Sequence, residues 1–345
     1  MSSVRTLRVG ESVSLRIHQR SVLVGSIMLV VVLALSIFAI GTGEFEIPPG
    51  TVISTLFGGG DAGSEFIINE VRLPRVLCAL LVGGALGVSG ALFQSLTRNP
   101  LGSPDIVGFP QGAAVGALIV ITIIGGSSLG VTIGALVGGA TTALAVYVLA
   151  FKRGSTSGYR LILVGIAISY LLISITDYLL ARARIEEAQE ATRWLLGSLN
   201  GRTWDDFIPL AISLAVLLPL AIPAGRALRA LELGDDSAHA LGLSVERSRL
   251  ALIGLAVGLV STTTVAVGPI GFVALTAPQI ARRLMRTAGL PLVCSALTGA
   301  ALTLAADITG QRLLPDRALP VGVMTGAFGG LYLVWLLTSE WRKGR

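Results

Sequence analysis

The sequence predicts an all-α integral membrane protein with a single domain of ten transmembrane helices, one of them short. Hydrophobic residues make up 53% of the 345 residues and charged residues only 13%, against the roughly 25% usual in soluble domains. A soluble fold of this length needs more polar surface than this composition supplies. A membrane-spanning helix takes about 20 apolar residues, so ten helices need roughly 200 residues and leave only short loops.

The first helix is predicted over 22–40, where an apolar run follows four arginines in residues 1–20. The run is too long for the apolar region of a cleavable signal peptide, and it lacks a small-residue cleavage site. Basic residues collect on the cytoplasmic side of membranes. Residues 1–20 are therefore expected to form a cytoplasmic segment.

Eight further apolar runs predict eight more helices. They lie at 76–96, 106–124, 129–151, 160–181, 207–225, 250–268, 290–306 and 320–338. Many glycines in these runs are spaced three or four residues apart, which lets helices approach closely in lipid. These glycines are Gly83, Gly87 and Gly90, then Gly134 and Gly138, Gly254 and Gly258, and Gly322, Gly326 and Gly330. We therefore expect a tightly packed bundle.

A tenth, short helix is predicted at 271–285 from charge rather than from hydropathy. The segment begins apolar and ends among three arginines. With this helix, 18 of the 26 basic residues lie on the cytoplasmic side, and without it only 14 do. The ten-helix arrangement therefore has the stronger positive-inside bias. It makes both termini cytoplasmic, with a transmembrane domain over 21–340 and a cytoplasmic tail at 341–345.

The sequence lacks the motifs of the common catalytic and cofactor sites. A P-loop needs a lysine followed by Ser or Thr, but Lys152 and Lys343 are followed by Arg and Gly. The histidines have no partners at metal-ligand spacing, and Cys78 and Cys294 lie in apolar runs, as buried thiols do. No basic block is interleaved with aromatic residues, as nucleic-acid binding would favour. We expect no enzyme activity, cofactor or metal in this chain, and a role in transport, channel formation or scaffolding.

The predicted cytoplasmic loop 226–249 contains an amphipathic segment. Leucines alternate there with charges, and Gly234 and Gly242 bracket a run that suits one short helix. The segment is either a solvated loop or a helix that docks into the groove of a cytoplasmic partner. The number of leucines favours the second interpretation.

Four arginines stand out on the predicted outer face because they oppose the positive-inside bias. Arg72 and Arg75 flank Pro74 at the start of the second helix, and Arg312 and Arg317 lie in the last outer loop. They are either solvated loop charges or a docking surface for an acidic partner, since arginine forms bidentate pairs with carboxylates.

Two carboxylates, Asp177 and Asp307, lie near the outer ends of predicted helices. An intramembrane carboxylate is a candidate for proton or ion coupling. A structural hydrogen bond to a neighbouring helix is the other interpretation, and we favour it for both residues.

Four ordered blocks, 71–108, 233–250, 268–284 and 306–326, resemble the FecCD-type permeases. These are the membrane subunits of ABC importers for ferric siderophores, haem and cobalamin. The resemblance covers the chain from about residue 20 and implies a BtuC-like permease architecture. One departure is Gln279, where many relatives have His.

The resemblance implies a permease that moves a ferric siderophore into the cytoplasm by alternating access. It implies a multi-pass protein of the cytoplasmic (inner) membrane with three kinds of partner: a second permease, two copies of an ABC ATPase that uses ATP and Mg, and an extracytoplasmic siderophore-binding protein. The stretches 186–204 and 329–337 look most similar to ferric-enterobactin permease subunits, which favours a different second permease and hence a heterodimer.

The resemblance also assigns roles to individual residues. Arg72, Arg75 and, offset by about one position, Arg312 would dock the binding protein. A coupling helix at 234–247 would enter the ATPase groove, with Gly234, Asp235, Ala238, Leu241, Gly242 and Leu243. Asn99, Leu101, Thr156 and Ser157 would close the inner end of the pathway.

Three alternatives remain at this point. The chain could be an ion-coupled secondary transporter that uses Asp177 and Asp307. It could be an ABC permease of the same family for haem or cobalamin. A membrane scaffold is the third, but a scaffold would not need the amphipathic loop.

Overall fold

The computed structural model of the protein describes residues 4–9, 13–43, 45–152, 155–286, 292–314 and 318–343. The elements are, in chain order, β1 Val4–Val9, β2 Val13–His18, α1 Gln19–Gly41, α2 Pro49–Leu56, α3 Ala62–Phe66, a π-helical turn Ile67–Arg72, α4 Leu73–Thr97, α5 Phe109–Ile119, a second π-helical turn Val120–Ile124, α6 Ser128–Ala150, β3 Phe151–Lys152, β4 Ser155–Thr156, α7 Gly158–Arg182, α8 Ile185–Leu195, α9 Trp204–Glu232, α10 Asp235–Ala240, α11 Val245–Val267, α12 Val273–Met285, α13 Leu292–Arg312 and α14 Val321–Lys343. The strands form two antiparallel pairs, β1 with β2 and β3 with β4.

The membrane helices are confirmed. Eight helical segments in the described part of the chain are long and apolar enough to cross a membrane, and Phe109–Ile124 is a shorter apolar one. The tenth is α12, which has only 13 residues and corresponds to the segment that charge rather than hydropathy predicted. Helix α12 is shielded by protein, since most of its residues are buried, as irregular or short segments at membrane depth require.

Helix α4 is the centre of the bundle, with 19 of its 25 residues buried. Glycines allow this burial, because they bring the backbones of neighbouring helices into direct contact. A Cβ on Gly87 would lie 2.1 Å from the carbonyl oxygen of Ser295 in α13, and one on Gly90 would lie 1.7 Å from that of Ala274 in α12. No side chain fits at either position.

The same packing joins α5 to α6, where a Cβ on Gly116 would lie 2.0 Å from the carbonyl oxygen of Gly134. The expectation is wrong for three other glycines. Gly254, Gly326 and Gly330 have no atom within 4 Å of an added Cβ, so spacing alone did not identify which glycines touch a neighbouring helix of this chain.

The connections are more helical than the sequence predicts. The connection between the predicted helices 22–40 and 76–96 contains α2, α3 and a π-helical turn, and α9 continues through the first part of the predicted loop 226–249 to Glu232. The predicted coupling helix 234–247 is also shorter, because α10 covers only residues 235–240 and residues 245–247 begin α11. Gly242, at φ 81°, ends α10, and Leu243 N donates to Ala238 O at 3.0 Å, as in a glycine-terminated helix.

The glycine contact predicts a selective loss of stability. Gly90→Ala forces α4 away from α12 and is expected to cost about 1–3 kcal/mol, as overpacking of a close-packed interior does. Gly254→Ala is the matched control, because its Cβ meets open space and alanine favours a helix by up to about 1 kcal/mol. Thermal unfolding in detergent measures both variants; equal melting temperatures would contradict the contact.

Candidate functional site

Two ends of the bundle carry the predicted functional residues. We call the end that carries α10 and residues 98–103 and 155–157 the inner end, and the end that carries Arg72 and Arg75 the outer end, after the predicted orientation. Helix α4 runs from the outer to the inner end, so its two termini connect the two groups of residues.

At the inner end, α10 presents leucines to the surface. Leu233 and Leu241 flank the helix and are each 67% exposed, whereas Ala238 is fully buried against the bundle. Gly234 is left-handed at φ 109° and Leu243 is half-buried. The segment is therefore a short helix held between two glycines: Ala238 packs on the bundle, the exposed residues of the helix itself are mainly polar, and one exposed leucine lies beyond each end.

Asp235, the first residue of α10, is bound by two arginines from other elements. Arg98 Nη2, just after α4, lies 3.0 Å from Asp235 Oδ1, and Arg249 Nη2, in α11, lies 3.0 Å and 3.1 Å from its two oxygens. Arg98 also donates to the carbonyl oxygen of Leu231. These contacts tie α10 to the inner ends of α4 and α11.

Arg249 continues the connection to the 155–157 segment. Its Nη1 donates to Glu246 Oε1 at 2.6 Å. The Glu246 carboxylate accepts two bonds from Thr156, one from the backbone N at 3.1 Å and one from the hydroxyl at 2.9 Å. Arg249 is only 7% exposed and Thr156 only 1%, so this chain of charged contacts is shielded from water at its far end.

The structure brings the predicted inner-gate residues to one place. The start of α7 packs on the end of α4, where a Cβ on Gly158 would lie 2.8 Å from Thr97 Cα. Thr156 and Ser157 line one narrow cleft with Thr97. Leu101 N donates to Asn99 Oδ1 at 2.9 Å, which holds the turn after α4 in an Asx geometry.

Gln279 in α12 supports the same turn. Its Nε2 donates to Pro100 O at 2.7 Å, and its Oε1 lies 3.4 Å from the Tyr332 hydroxyl. The amide thus bridges the 99–101 turn and α14, a contact that the resemblance does not explain because many relatives have His at this position.

At the outer end, a cavity of about 850 Å³ is lined by arginines. Its charged lining residues are Arg72, Arg75, Arg202 and Arg312 together with Glu46 and Glu70. The predicted docking arginines therefore surround one cavity, and Arg202 was missed by sequence reasoning. Arg75 and Arg202 are already paired with Asp307 and Asp206, so Arg72 and Arg312 are the lining arginines best placed to meet the carboxylate of an acidic partner.

The three predicted docking arginines differ in what they already bind. Arg72 donates to the carbonyl oxygens of Ile40 and Phe45. Arg75 forms a bidentate pair with Asp307, at 3.0 Å and 2.8 Å. Arg312 is 48% exposed, lies 3.9 Å from Glu46 and packs over the Phe38 ring at 4.6 Å. Arg317 lies outside the described residues.

Asp307 and Asp177 have opposite environments. Asp307 is 2% exposed and is neutralised by Arg75, with a further bond from Gln311 Nε2 at 2.9 Å. Asp177 is exposed near the outer end of α7, and it has no hydrogen bond or ion pair among the residues that the structure describes. The contacts thus support the structural interpretation for Asp307, whereas the hydrogen bond to a neighbouring helix expected for Asp177 is not found among the described residues.

Sequence reasoning missed Arg98, Arg249 and Glu246, although the chain contains a signal for them. The two arginines entered only the count of basic residues that set the predicted topology, and Glu246 was given no role. All three lie within a few residues of a membrane helix end, where an acidic and a basic residue from different elements can pair. Arg98 pairs with Asp235, 137 residues away, which spacing along the sequence does not indicate, whereas Glu246 and Arg249 are three residues apart on α11, a spacing that does predict an ion pair.

The chain is similar over nearly its whole length to known permeases. The sequence profile described as the FecCD transport family matches residues 28–339. The ferric enterobactin transport system permease protein FepG of Escherichia coli (strain K12) is 45% identical over 307 residues, which are 89% of this chain and 93% of that protein. The Fe(3+) dicitrate transport system permease protein FecD of the same organism is 41% identical over 287 residues, 80% of this chain and 87% of that protein.

The fold also matches a solved structure. A structure described as an inward-facing conformation of a metal-chelate type ABC transporter has a TM-score of 0.82 and 26% sequence identity, and the match covers 92% of this chain and 99% of that chain. The predicted fold class, an all-α membrane permease of the ABC-transporter type, is therefore confirmed.

Proposed function

This chain belongs to the FecCD transport family, and we propose that it is the membrane permease subunit of an ABC importer for a ferric siderophore. The observation that carries the proposal is the 45% sequence identity to a permease of ferric enterobactin transport, over 93% of that permease's length. A second relative, at 35% identity over 319 residues, is the achromobactin transport system permease protein CbrC of Dickeya dadantii (strain 3937). The substrate class therefore rests on relatives along the whole chain rather than on one motif.

The energy source in this proposal is a separate ATPase. The sequence contains no P-loop lysine, whereas the surface around α10 exposes one leucine beyond each end of the helix, Leu233 and Leu241. A short helix with exposed leucines suits a groove on a partner protein. Two copies of an ABC ATPase, using ATP and Mg, would bind there and drive the permease, which has no ATP site of its own.

A second permease subunit would complete the pathway. One face of α7 carries Tyr170, Ser174 and Asp177, and all three are exposed in this chain. An ionised carboxylate facing lipid is costly, so this face favours contact with an aqueous pathway or with another subunit. The similarity to an enterobactin-type permease supports a different second permease, and hence a heterodimer, in the inner membrane with both termini cytoplasmic.

An extracytoplasmic siderophore-binding protein would dock at the outer cavity. Of the three proposed docking arginines, Arg312 is the most exposed, and its guanidinium needs little rearrangement to meet a carboxylate. Arg72 keeps its charge while it donates to carbonyl oxygens, whereas Arg75 is neutralised by Asp307 and would have to exchange that partner to dock a carboxylate. Alternating access then follows: ATP binding moves α10, and the inner end opens while the binding protein covers the outer end.

The ion-coupled alternative is less well supported. It needs carboxylates that gain and lose a cation, but Asp307 is already paired with Arg75, and breaking a buried ion pair to admit another cation is costly. Haem or cobalamin transport is also not favoured, because the two Escherichia coli relatives are described as permeases for ferric enterobactin and Fe(3+) dicitrate.

Uptake in proteoliposomes tests the proposed function. The chain is reconstituted with its second permease, ATPase and binding protein, and radioactive iron is supplied as ferric enterobactin. Iron is expected to accumulate when ATP and Mg are supplied on the ATPase side of the membrane without an ion gradient. No accumulation is expected with a proton or sodium gradient alone. Uptake that follows the ion gradient without ATP would establish the secondary-transporter alternative instead.

A pair of charge reversals separates docking from folding. Arg312→Glu is expected to weaken binding-protein affinity by about tenfold or more, since like charges across an interface repel, with normal folded yield. Arg75→Glu is expected to lower stability by about 3–5 kcal/mol, because it leaves Asp307 buried and unpaired. Exposed Arg193 in α8 lies outside the cavity, and Arg193→Glu is the control for docking. Normal binding-protein affinity in the Arg312→Glu variant would show that Arg312 is not part of the docking surface.

A further inference from the structure

The inner end carries a chain of charged side chains that begins on α10 and ends on the 155–157 segment. It runs from Asp235 through Arg249 and Glu246 to Thr156. We propose that Glu246 and Arg249 are positioning residues that transmit the displacement of α10 to the inner gate. This inference rests on the proposed function and adds the route by which α10 acts.

The Glu246 end of this route holds backbone as well as side chain. Its two carboxylate oxygens accept separately from the backbone N and the hydroxyl of Thr156, and the Tyr147 hydroxyl lies 3.5 Å from Oε2. A two-point contact fixes orientation as well as distance, because neither donor can turn without losing a bond. The residues beside Thr156 therefore follow any movement of the Glu246 carboxylate.

The middle of the route is a buried guanidinium. Arg249 uses one nitrogen for Glu246 and the other for both oxygens of Asp235. A planar guanidinium has a fixed fork of donors, so it joins two carboxylates at a set separation and angle. Arg249 itself is 7% exposed, although Asp235 and Glu246 are partly exposed, so burial on one side limits the positions that the guanidinium can adopt.

A second branch starts at the same carboxylate. Asp235 Oδ1 also binds Arg98, whose backbone begins the turn that contains Asn99. One residue of α10 therefore contacts both segments of the inner gate, directly on one side and through Arg249 and Glu246 on the other. The two positive charges of Arg98 and Arg249 balance the two negative charges of Asp235 and Glu246, so the group needs no counter-ion. A displacement of Asp235 is therefore passed to both the 99–101 turn and the 155–157 segment.

A purely structural role makes a different prediction. A contact that only holds the fold together would, when removed, lower yield, ATP hydrolysis and uptake in parallel. Removal of a transmitting contact leaves ATP hydrolysis running while the gate no longer responds, since movement of the ATPase is then no longer passed to the gate.

The test uses the assembled transporter in liposomes, with Ser157→Cys as a reporter on the gate. Cys78 and Cys294 are buried, and partner-chain cysteines are replaced by serine, so a hydrophilic maleimide reports on position 157. The labelling rate is compared between the nucleotide-free and vanadate-trapped states. ATP hydrolysis and iron uptake are measured on the same preparations.

In the Glu246→Gln variant, we expect the nucleotide-dependent change in labelling and the uptake per ATP to fall about tenfold, while ATP hydrolysis stays within about twofold. Glu232→Gln is the matched control: this carboxylate is exposed at the end of α9 and lies outside the route. Retained labelling change and uptake per ATP in Glu246→Gln, or a parallel loss of hydrolysis and yield, overturns the proposal.

Two further variants keep the test decisive if Glu246→Gln folds poorly. Thr156→Val removes one donor to Glu246 at nearly constant volume, and Thr156→Ser retains both donors. Only the valine variant is expected to lose the labelling response. Asp235→Asn combined with Glu246→Gln is expected to lose no more at position 157 than Glu246→Gln alone, because the residues act in series. A labelling change at position 157 that falls further in the double variant, by the sum of the two single losses, would contradict a serial arrangement of Asp235 and Glu246.

The outcomes also separate this inference from the proposed function. If the wild-type assembly neither hydrolyses ATP nor takes up ferric siderophore, the function is wrong. If the wild type works and the labelling change survives in every variant, only the route through Glu246 and Arg249 is wrong.

Discussion

Direct backbone contact around α4 is the constraint on which the rest of the bundle depends. Gly87 and Gly90 bring α4 so close to α13 and α12 that a single methyl group does not fit. In lipid, where apolar burial adds little between helices, such packing and buried polar contacts hold the bundle together. The helices around α4 therefore form a rigid body, and movement is concentrated where side chains rather than backbones make the contacts.

The two ends of α4 use charge in different ways. At the outer end, Arg75 is held by Asp307 within the bundle, while Arg312 remains half in solvent on the cavity. At the inner end, Arg98 and Arg249 converge on Asp235 of α10. The first arrangement fixes the helices and leaves Arg312 accessible at the cavity; the second links a surface helix to two turns. Helix α4 joins the two ends, and its glycine contacts hold it against α12 and α13.

Hydropathy and charge together predicted all ten membrane helices, including α12, which hydropathy alone would have missed. Helices α2, α3 and α8 were not predicted, because each is short and lies in a polar or turn-rich connection. The segment predicted as one helix over 234–247 contains only the short helix Asp235–Ala240 and the start of α11, since the turn at Gly242 ends the short helix. The pairs Arg75–Asp307 and Arg98–Asp235 were not predictable, because they join residues 232 and 137 positions apart.

The central claim is that α10 is the surface through which a separate ATPase drives this permease. Photo-crosslinking in native membranes from a benzophenone amino acid at Leu241, which is 67% exposed, tests it most directly. Phe57 at the outer end, 87% exposed, is the control position. Crosslinks to an ABC ATPase are expected from position 241 and not from position 57. An ATPase absent from the products at 241, with crosslinking efficient at both positions, would contradict the account.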